Sequence, residues 1–470
     1  MNFSPRDEKI AQSGLALFAG LCFVFAIISH HRHKVAIAQA VATSASSAVL
    51  VAPAVVSARP VATPILLPLP PLPEVDAAGV RFYLPPGPDR TAGVPPNLRE
   101  LLREGIRILS AERLDETKCM GKGLGAHRCV GDYILAALAP DKTIQLIDLY
   151  EGRPSDPPGF TIALEMKVKH VVGVNMPFVI TAPPNWTVLA LRTSIGLASK
   201  SVTTGKKSVA ATEVVNVPYT SRIDTLEVRR EGARYLADLA HRALVQLRFD
   251  RVKSRLDPHK LVVDTVDVRH IISLIVTEQI YDDEDFVAGD ASKRLWMISR
   301  ELVAFGANHE KAFRYTRSSS NAVGLLQIIP KTRDLLVAAY GVPSSPTPTA
   351  DPRLDHQQAF ELAFFHADDE LSTLHHRKLL AGLTNEQLPL ALAAGYNCYI
   401  DDTVKKALRL CGDRWREELC LETDEKTGET KTILTAQTRR YLKKYEWIRS
   451  VLFDESAART AAEDFKIKPY

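Results

Sequence analysis

Hydrophobic spacing changes several times along this chain, and each change predicts a different element. Residues 13–29 form one apolar run with no charge. Its 17 residues, at about 1.5 Å each, span roughly 25 Å, the short end for a membrane-crossing helix. Residues 35–73 are rich in Ala, Val and Pro and nearly free of charge, and Pro53, Pro60, Pro64, Pro68, Pro70, Pro71 and Pro73 exclude a helix. They predict a polyproline-like spacer, with the irregular linker running over 30–96.

Both periodicities mix in the region 97–253. Residues 97–112 predict an amphipathic helix with Leu98, Leu101, Leu102 and Ile106 on one side. Strand-like runs follow at 143–149, 160–168, 178–180, 187–191 and 213–217, and residues 232–247 return to helical spacing through Leu236, Leu239, Ala240, Ala243 and Leu247. This is a small α+β domain whose role the residues do not reveal. Thr203-Thr204-Gly205-Lys206-Lys207 lacks the first Gly of a phosphate loop and reads as a hairpin tip.

From residue 254 to 470 the pattern is helical, predicting a mainly α domain. Residues 267–280 carry Val268, Ile271, Ile272, Leu274, Ile275 and Val276, apolar nearly all round, which predicts a buried helix. Further helices are predicted at 293–305, 355–374, 388–396 and 435–452, and no run approaches strand alternation.

Composition changes the picture little. The chain has 470 residues, 46% hydrophobic and 24% charged, with a formal charge of +4. That is too small to argue for nucleic acid. Besides Cys22, Cys119 and Cys129 form one close pair, Cys411 and Cys420 another, and Cys398 is left over. Two close pairs suit disulfides, the alternative being free thiols. Their intervals do not fit a CxxC metal site, and no metal or cofactor is expected.

The candidate chemistry lies in Ser318-Ser319-Ser320-Asn321-Ala322-Val323-Gly324-Leu325-Leu326-Gln327-Ile328-Ile329-Pro330-Lys331-Thr332. A small, polar run leads to a Gly, then to an apolar run with one Gln, then to a helix start. This stretch resembles the Ser-x-x-Gly-Ala-x-Gly-Leu-Met-Gln-x-x-Pro-x-Thr signature of soluble lytic transglycosylase, goose-lysozyme-like domains. Ser318, Ala322, Gly324, Leu325, Gln327, Pro330 and Thr332 match, while Asn321 and Leu326 depart. Asp351-Pro352-Arg353-Leu354-Asp355 stands where the family has an Asp-Pro turn. Ala393-Ala394-Gly395-Tyr396-Asn397 resembles its Ala-Ala-Tyr-Asn step with Gly395 added, and Gln437-Thr438-Arg439-Arg440-Tyr441 its Glu-Thr-x-x-Tyr. The resemblance covers residues 267–452 and implies a lysozyme-like fold.

Glycosidic cleavage needs a carboxyl still protonated near neutral pH, which burial favours. Glu278, closing the apolar run before Thr277-Glu278-Gln279, meets that need. It stands 46 residues before Gly324, much farther than in the family. An insertion over 281–313, with its own helix, would therefore loop out. Glu310, only 14 residues before Gly324, is the rival, but Gly306-Ala307-Asn308-His309 reads as a solvated turn that desolvates nothing. Asp282, Asp283, Glu284 and Asp285 read as a solvated acidic face, or as the source of a second carboxylate.

The resemblance implies cleavage of the MurNAc-β-1,4-GlcNAc bond of peptidoglycan glycan strands by one carboxyl group, with 1,6-anhydro product. Tyr396 would bond near the reacting sugar, Gly324, Gln327, Asn397 and Tyr441 would meet substrate, Ser318 would orient the acid, and Leu325 and Leu326 would pack the cleft floor, Leu325 also counting among the substrate-binding residues. The alternatives are a lysozyme-like hydrolase and a non-catalytic wall-binding scaffold. Such a substrate implies a periplasmic catalytic domain. Residues 13–29 would then be a single inner-membrane anchor following a cytoplasmic 1–12, or a signal segment cut after Ala38-Gln39-Ala40. His30-His31-Arg32-His33-Lys34 between the run and that cleavage site favours the anchor. Lys and Arg flank the run equally and encode no orientation.

Overall fold

Two short antiparallel strands open the described part of the computed structural model, which comprises residues 74–77, 79–85, 95–111, 133–149, 159–164, 177–200, 207–280, 282–318, 320–340, 351–398, 400–423 and 428–467. They belong to a unit spanning Pro70–Tyr470; the other unit, Met1–Leu69, lies outside the described residues. Strands β1 (Glu74–Ala77) and β2 (Val80–Tyr83) pair with each other. Val80 and Phe82 of β2 are buried, and the Phe82 ring lies 5.2 Å from Phe453.

Helix α1 (Leu98–Ala111) buries Leu98, Leu102, Gly105 and Leu109, the side that its apolar spacing marks. It packs on a four-stranded antiparallel sheet built from β3 (Tyr133–Leu138), β4 (Ile144–Leu149), β7 (Thr187–Lys200) and β8 (Lys207–Asn216), in the order β4-β3-β7-β8. β5 (Thr161–Leu164) and β6 (Phe178–Ala182) form a separate antiparallel pair. The central strand β3 escapes the sequence reading because it is buried along nearly its whole length and does not alternate. Arg192 is buried on β7 and pairs with Glu213 of β8 at 2.5 Å.

The rest is mainly helical. In chain order come α2 (Leu226–Phe249), α3 (Val268–Gln279), α4 (Asp283–Ala288), α5 (Ala291–Asn308), α6 (Pro330–Tyr340), α7 (His356–His376), α8 (Gln387–Cys398) and α9 (Lys405–Cys411). A short strand pair, β9 (Leu421–Thr423) with β10 (Thr430–Thr432), precedes α10 (Ala436–Phe453) and α11 (Glu455–Ile467). Thr225, Asp267, Asp290, Asp355 and Thr435 each accept a backbone N–H at a helix start, which fixes where α2, α3, α5, α7 and α10 begin. The chain is thus mainly α with a small sheet region.

Four expectations change. Residues 281–313 do not loop out: Leu295, Met297, Ile298, Leu302 and Phe305 of α5 enter the main core. Gly306 is not in a solvated turn but in α5, where a Cβ would come within 2.0 Å of the Val228 carbonyl oxygen; a Cβ on Gly232 would meet the Leu302 oxygen at 1.9 Å. Two glycines therefore let α2 and α5 cross backbone to backbone. A third difference is the β9–β10 pair, too short at three residues per strand to show alternation in sequence.

The fourth correction concerns the membrane. Among the described residues no helix is long and apolar enough to cross one, and residues 13–29 lie outside them. The longest described helix, α2 with 24 residues, carries Glu227, Arg229, Arg230, Glu231 and Arg234. The expected transmembrane anchor, and the single-pass inner-membrane and periplasmic location drawn from it, are not upheld. Cys411 and Cys420 are joined in a disulfide and Cys398 is free. Cys119 and Cys129 lie outside the described residues.

Candidate active site

Helix α3 positions the acid. His270 to Thr277 are all buried, so the helix delivers its last turn, with Glu278, to the edge of the core. Glu278 itself is half-buried. Burial pushes its carboxyl up to about 7, against a hydrogen bond from Tyr441 and the charge of Lys444, with Asp283 adding to the rise. A protonated carboxyl near neutral pH is what a general acid requires.

Helix α10 supplies the partners. Tyr441 is buried and its hydroxyl donates to Glu278 Oε1 at 2.6 Å. Three residues on, hence on the same helical face, Lys444 is 2% exposed. Its ammonium donates to the Ile280 carbonyl at 2.5 Å and pairs with Asp283 at 2.6 Å. These contacts tie the end of α3 and the start of α4 to one helix. The other carboxylates of the acidic run are engaged too. Asp282 caps α4, Glu284 meets Arg440 at 3.2 Å, and Asp285 meets Lys293 at 3.5 Å.

The loop Ser318–Ile329 docks on the same helix end. Gln279, next to the acid, donates its amide to the carbonyls of Gly324 at 3.3 Å and Leu325 at 2.6 Å. Gly324 has φ +74°, and a Cβ there would meet the Arg353 carbonyl at 1.9 Å, so only glycine fits. Arg353 is 7% exposed and clamps the loop, donating to the Asn321 carbonyl at 3.0 Å and the Ile328 carbonyl at 2.9 Å while held by Asp351. That is the task of the Asp-Pro-Arg turn. Leu325 and Leu326 are buried under the loop.

Gln327, with φ +49°, donates its amide to Thr316 and Gly324 carbonyls at 3.2 and 2.8 Å. Its nitrogen thus braces the loop from within. Tyr396 on α8 donates to the Leu326 carbonyl, which fixes its ring against the loop. Burial, followed by the charge of Glu278, holds both Tyr396 and Tyr441 well above the ordinary phenol value, so both stay hydroxyl donors. Asn397 follows Tyr396, half-buried.

The structure brings Glu278, Gly324, Leu325, Gln327, Tyr396 and Tyr441 together. It does not bring in Ser318, which is exposed and bonds only its own loop, accepting from the Ala322 N–H at 3.2 Å. Glu310 is exposed on a single 3₁₀ turn following α5. Sequence reasoning gave Tyr441 to the substrate and missed its bond to the acid. It also missed Gln279 and Lys444; the spacing of Lys444 from Tyr441 was the available signal.

No protein-family model matches this chain, and no curated protein is significantly similar to it.

Proposed function

We propose that residues 254–470 are a lysozyme-like catalytic domain of a peptidoglycan lytic transglycosylase. It cleaves the MurNAc-β-1,4-GlcNAc bond and leaves a 1,6-anhydro ring. The observation that carries the reading is Glu278: a carboxyl raised to about 7, bonded by Tyr441 and set beside the Gly324–Gln327 loop.

On this reading Glu278 first gives its proton to the bridging oxygen, and the glycosidic bond breaks. Positive charge on the sugar is carried by its own 2-acetamido group or by a stabilised oxocarbenium ion. The Glu278 carboxylate then takes the proton of the C6 hydroxyl as that oxygen closes on the anomeric carbon. The acid is regenerated, and neither water nor metal enters the balance. Tyr441 steadies the carboxylate between the two proton transfers, and Tyr396 and the Gln327 oxygen meet the sugar. Hydrolysis would need a second carboxylate to hold a water; Asp283 beside Glu278 is committed to Lys444, which favours the non-hydrolytic route.

The test is cleavage of purified peptidoglycan followed by mass. The parent chain releases 1,6-anhydro product, Glu278→Gln lowers turnover by roughly 10²–10⁴, and Glu310→Gln changes it little. Reducing-end products would point to hydrolysis. Wall binding with no product from the parent chain would point to a scaffold.

A further inference from the structure

Gly395, the residue by which Ala393-Ala394-Gly395-Tyr396-Asn397 departs from the family step, has no room for a side chain. A Cβ there would lie 2.3 Å from Oε1 of Glu370. The missing methyl admits a carboxyl group against α8, at the residue preceding Tyr396. Glu370, on α7, is 4% exposed. One turn earlier on the same face, His366 directs Nδ1 at Glu370 Oε1, 3.5 Å away. Its ring centre lies 4.9 Å from that of Tyr396, and its side chain keeps 17% of its surface exposed. Neither residue has a part in the mechanism above.

Burial is the largest influence on His366 and acts to strip its proton, but Glu370, helped by the charge of Asp369, outweighs it and leaves the imidazole above its ordinary value. Burial raises Glu370 in turn, with His366 pulling the other way. The ring nitrogen that faces a carboxylate settles what the other nitrogen does. Nδ1 is buried and faces the Glu370 carboxylate as an ion pair, with no hydrogen bond formed between them, so Nε2–H is the donor His366 has left to offer a ligand.

We infer that His366 is a substrate-contacting residue of this site, a hydrogen-bond donor to an oxygen of the glycan strand, and that Glu370, seated in the space left by Gly395, is its positioning residue. The inference rests on the glycan-cleaving reading of the site and adds a contact on the α7 side of Tyr396. Glu278 and Glu370 both act electrostatically on Tyr396, and the His366 ring packs against that of Tyr396, so the pair adjoins the same tyrosine as the reacting acid. A sugar lying against Tyr396 would come within reach of both the acid and His366.

The experiment compares His366→Ala, His366→Gln and Glu370→Gln in the full chain, with purified peptidoglycan as the probe. Cleavage is read as KM against kcat, and binding is measured separately in a Glu278→Gln background. Expected are a roughly tenfold rise in KM and a matching loss of binding for His366→Ala, the worth of one charge-assisted hydrogen bond. His366→Gln, whose amide N–H falls near Nε2, restores most of both, and Glu370→Gln gives a smaller change in the same direction. Unchanged KM and binding in His366→Ala overturns the inference. So does an equal loss in the Ala and Gln variants with a parallel fall in Tm, which marks a packing role. Binding that depends on His366 without any product sinks the cleavage reading alone. A parent chain that binds no peptidoglycan sinks both.

Discussion

Tyr441 reaches Glu278 across 163 residues of sequence, and its hydroxyl donates a 2.6 Å hydrogen bond to Oε1. The bond favours the ionised carboxylate, opposing the burial that lifts Glu278 to about 7. On the proposed function Glu278 acts as an acid only while protonated, so cleavage should fall as pH rises through about 7. Removing the donor removes a restraint on that rise. Tyr441→Phe therefore moves the alkaline limb of the kcat/KM profile up by about one pH unit and lowers the plateau rate. A limb that stays in place, or moves down, would separate Tyr441 from the titration of the acid.

The same burial has a thermodynamic consequence. The folded protein keeps the Glu278 proton to about pH 7, whereas the unfolded chain loses it near 4.5. Between those values the folded state binds the extra proton, so the Glu278 contribution to stability falls as pH rises from about 4.5 to 7 and is flat above. Glu278→Gln does not titrate. It gains on the parent through that window, by on the order of 2–3 kcal/mol at pH 8 relative to pH 4. Denaturant unfolding of both proteins at the two pH values checks this, and a constant gap would show that the carboxyl is not desolvated.

How much of this was legible depends on where the information sits. Helix α3 could be read because Val268, Ile271, Ile272, Leu274, Ile275 and Val276 leave few polar positions before Thr277, as a helix buried nearly all round requires. The candidate acid Glu278 follows from that helix by desolvation and by the resemblance of its Thr277-Glu278-Gln279 ending. Strand β3 could not be read, because burial of Tyr133–Leu138 on both faces erases the alternation that marks a strand. Lys444 and Asp283, paired at 2.6 Å, are each unremarkable in sequence, one on a basic helix and one in an acidic run. Only the fold brings them together. The α5 segment was misjudged for a related reason: Gly306 looks like a breaker until α2 is laid across it.

Gly324 tests the loop. Its φ of +74° suits glycine, and a Cβ there would press on the Arg353 carbonyl at 1.9 Å. Gly324→Ala should cost at least about 1–3 kcal/mol of backbone strain and loosen the seat of Gln327 and Leu326. The Gln279 bonds to the Gly324 and Leu325 carbonyls would lengthen with it. The expected result is a lower Tm together with a drop in kcat. Parent-like values of both would show that the loop tolerates a side chain at its turn.

Cys411 and Cys420 close a loop with a sequence separation of 9, and Cys420 is buried. Replacing either by Ser should remove about 2–3 kcal/mol of stability. Glu278 lies on another helix, so turnover below the new unfolding transition should change little. Unfolding curves with and without reductant give the comparison, and a parent protein indifferent to reductant would count against the bond.

The crossing of α2 and α5 decides whether the helical region stands without the segment before residue 254. At this crossing Gly232 lies against the Leu302 carbonyl and Gly306 against that of Val228. Leu236, Ala237, Leu239 and Ala240 of α2 share the main core with Leu302 and Phe305 of α5, and with Phe360 and Phe364 of α7. A chain starting at residue 254 would uncover that apolar face and lose the partner for which Gly306 was left bare. It should not fold to an active protein, whatever its motifs. A milder version keeps the chain whole: Gly306→Ala sets a methyl group 2.0 Å from a carbonyl oxygen that α2 cannot withdraw without shifting its whole axis. Overpacking of this kind costs about 1–3 kcal/mol. Because both helices share one core, unfolding should remain a single transition at lower denaturant, monitored together by tryptophan fluorescence and far-ultraviolet dichroism. Two separated transitions, or an active fragment from residue 254, would mean that the crossing is not what joins the two parts.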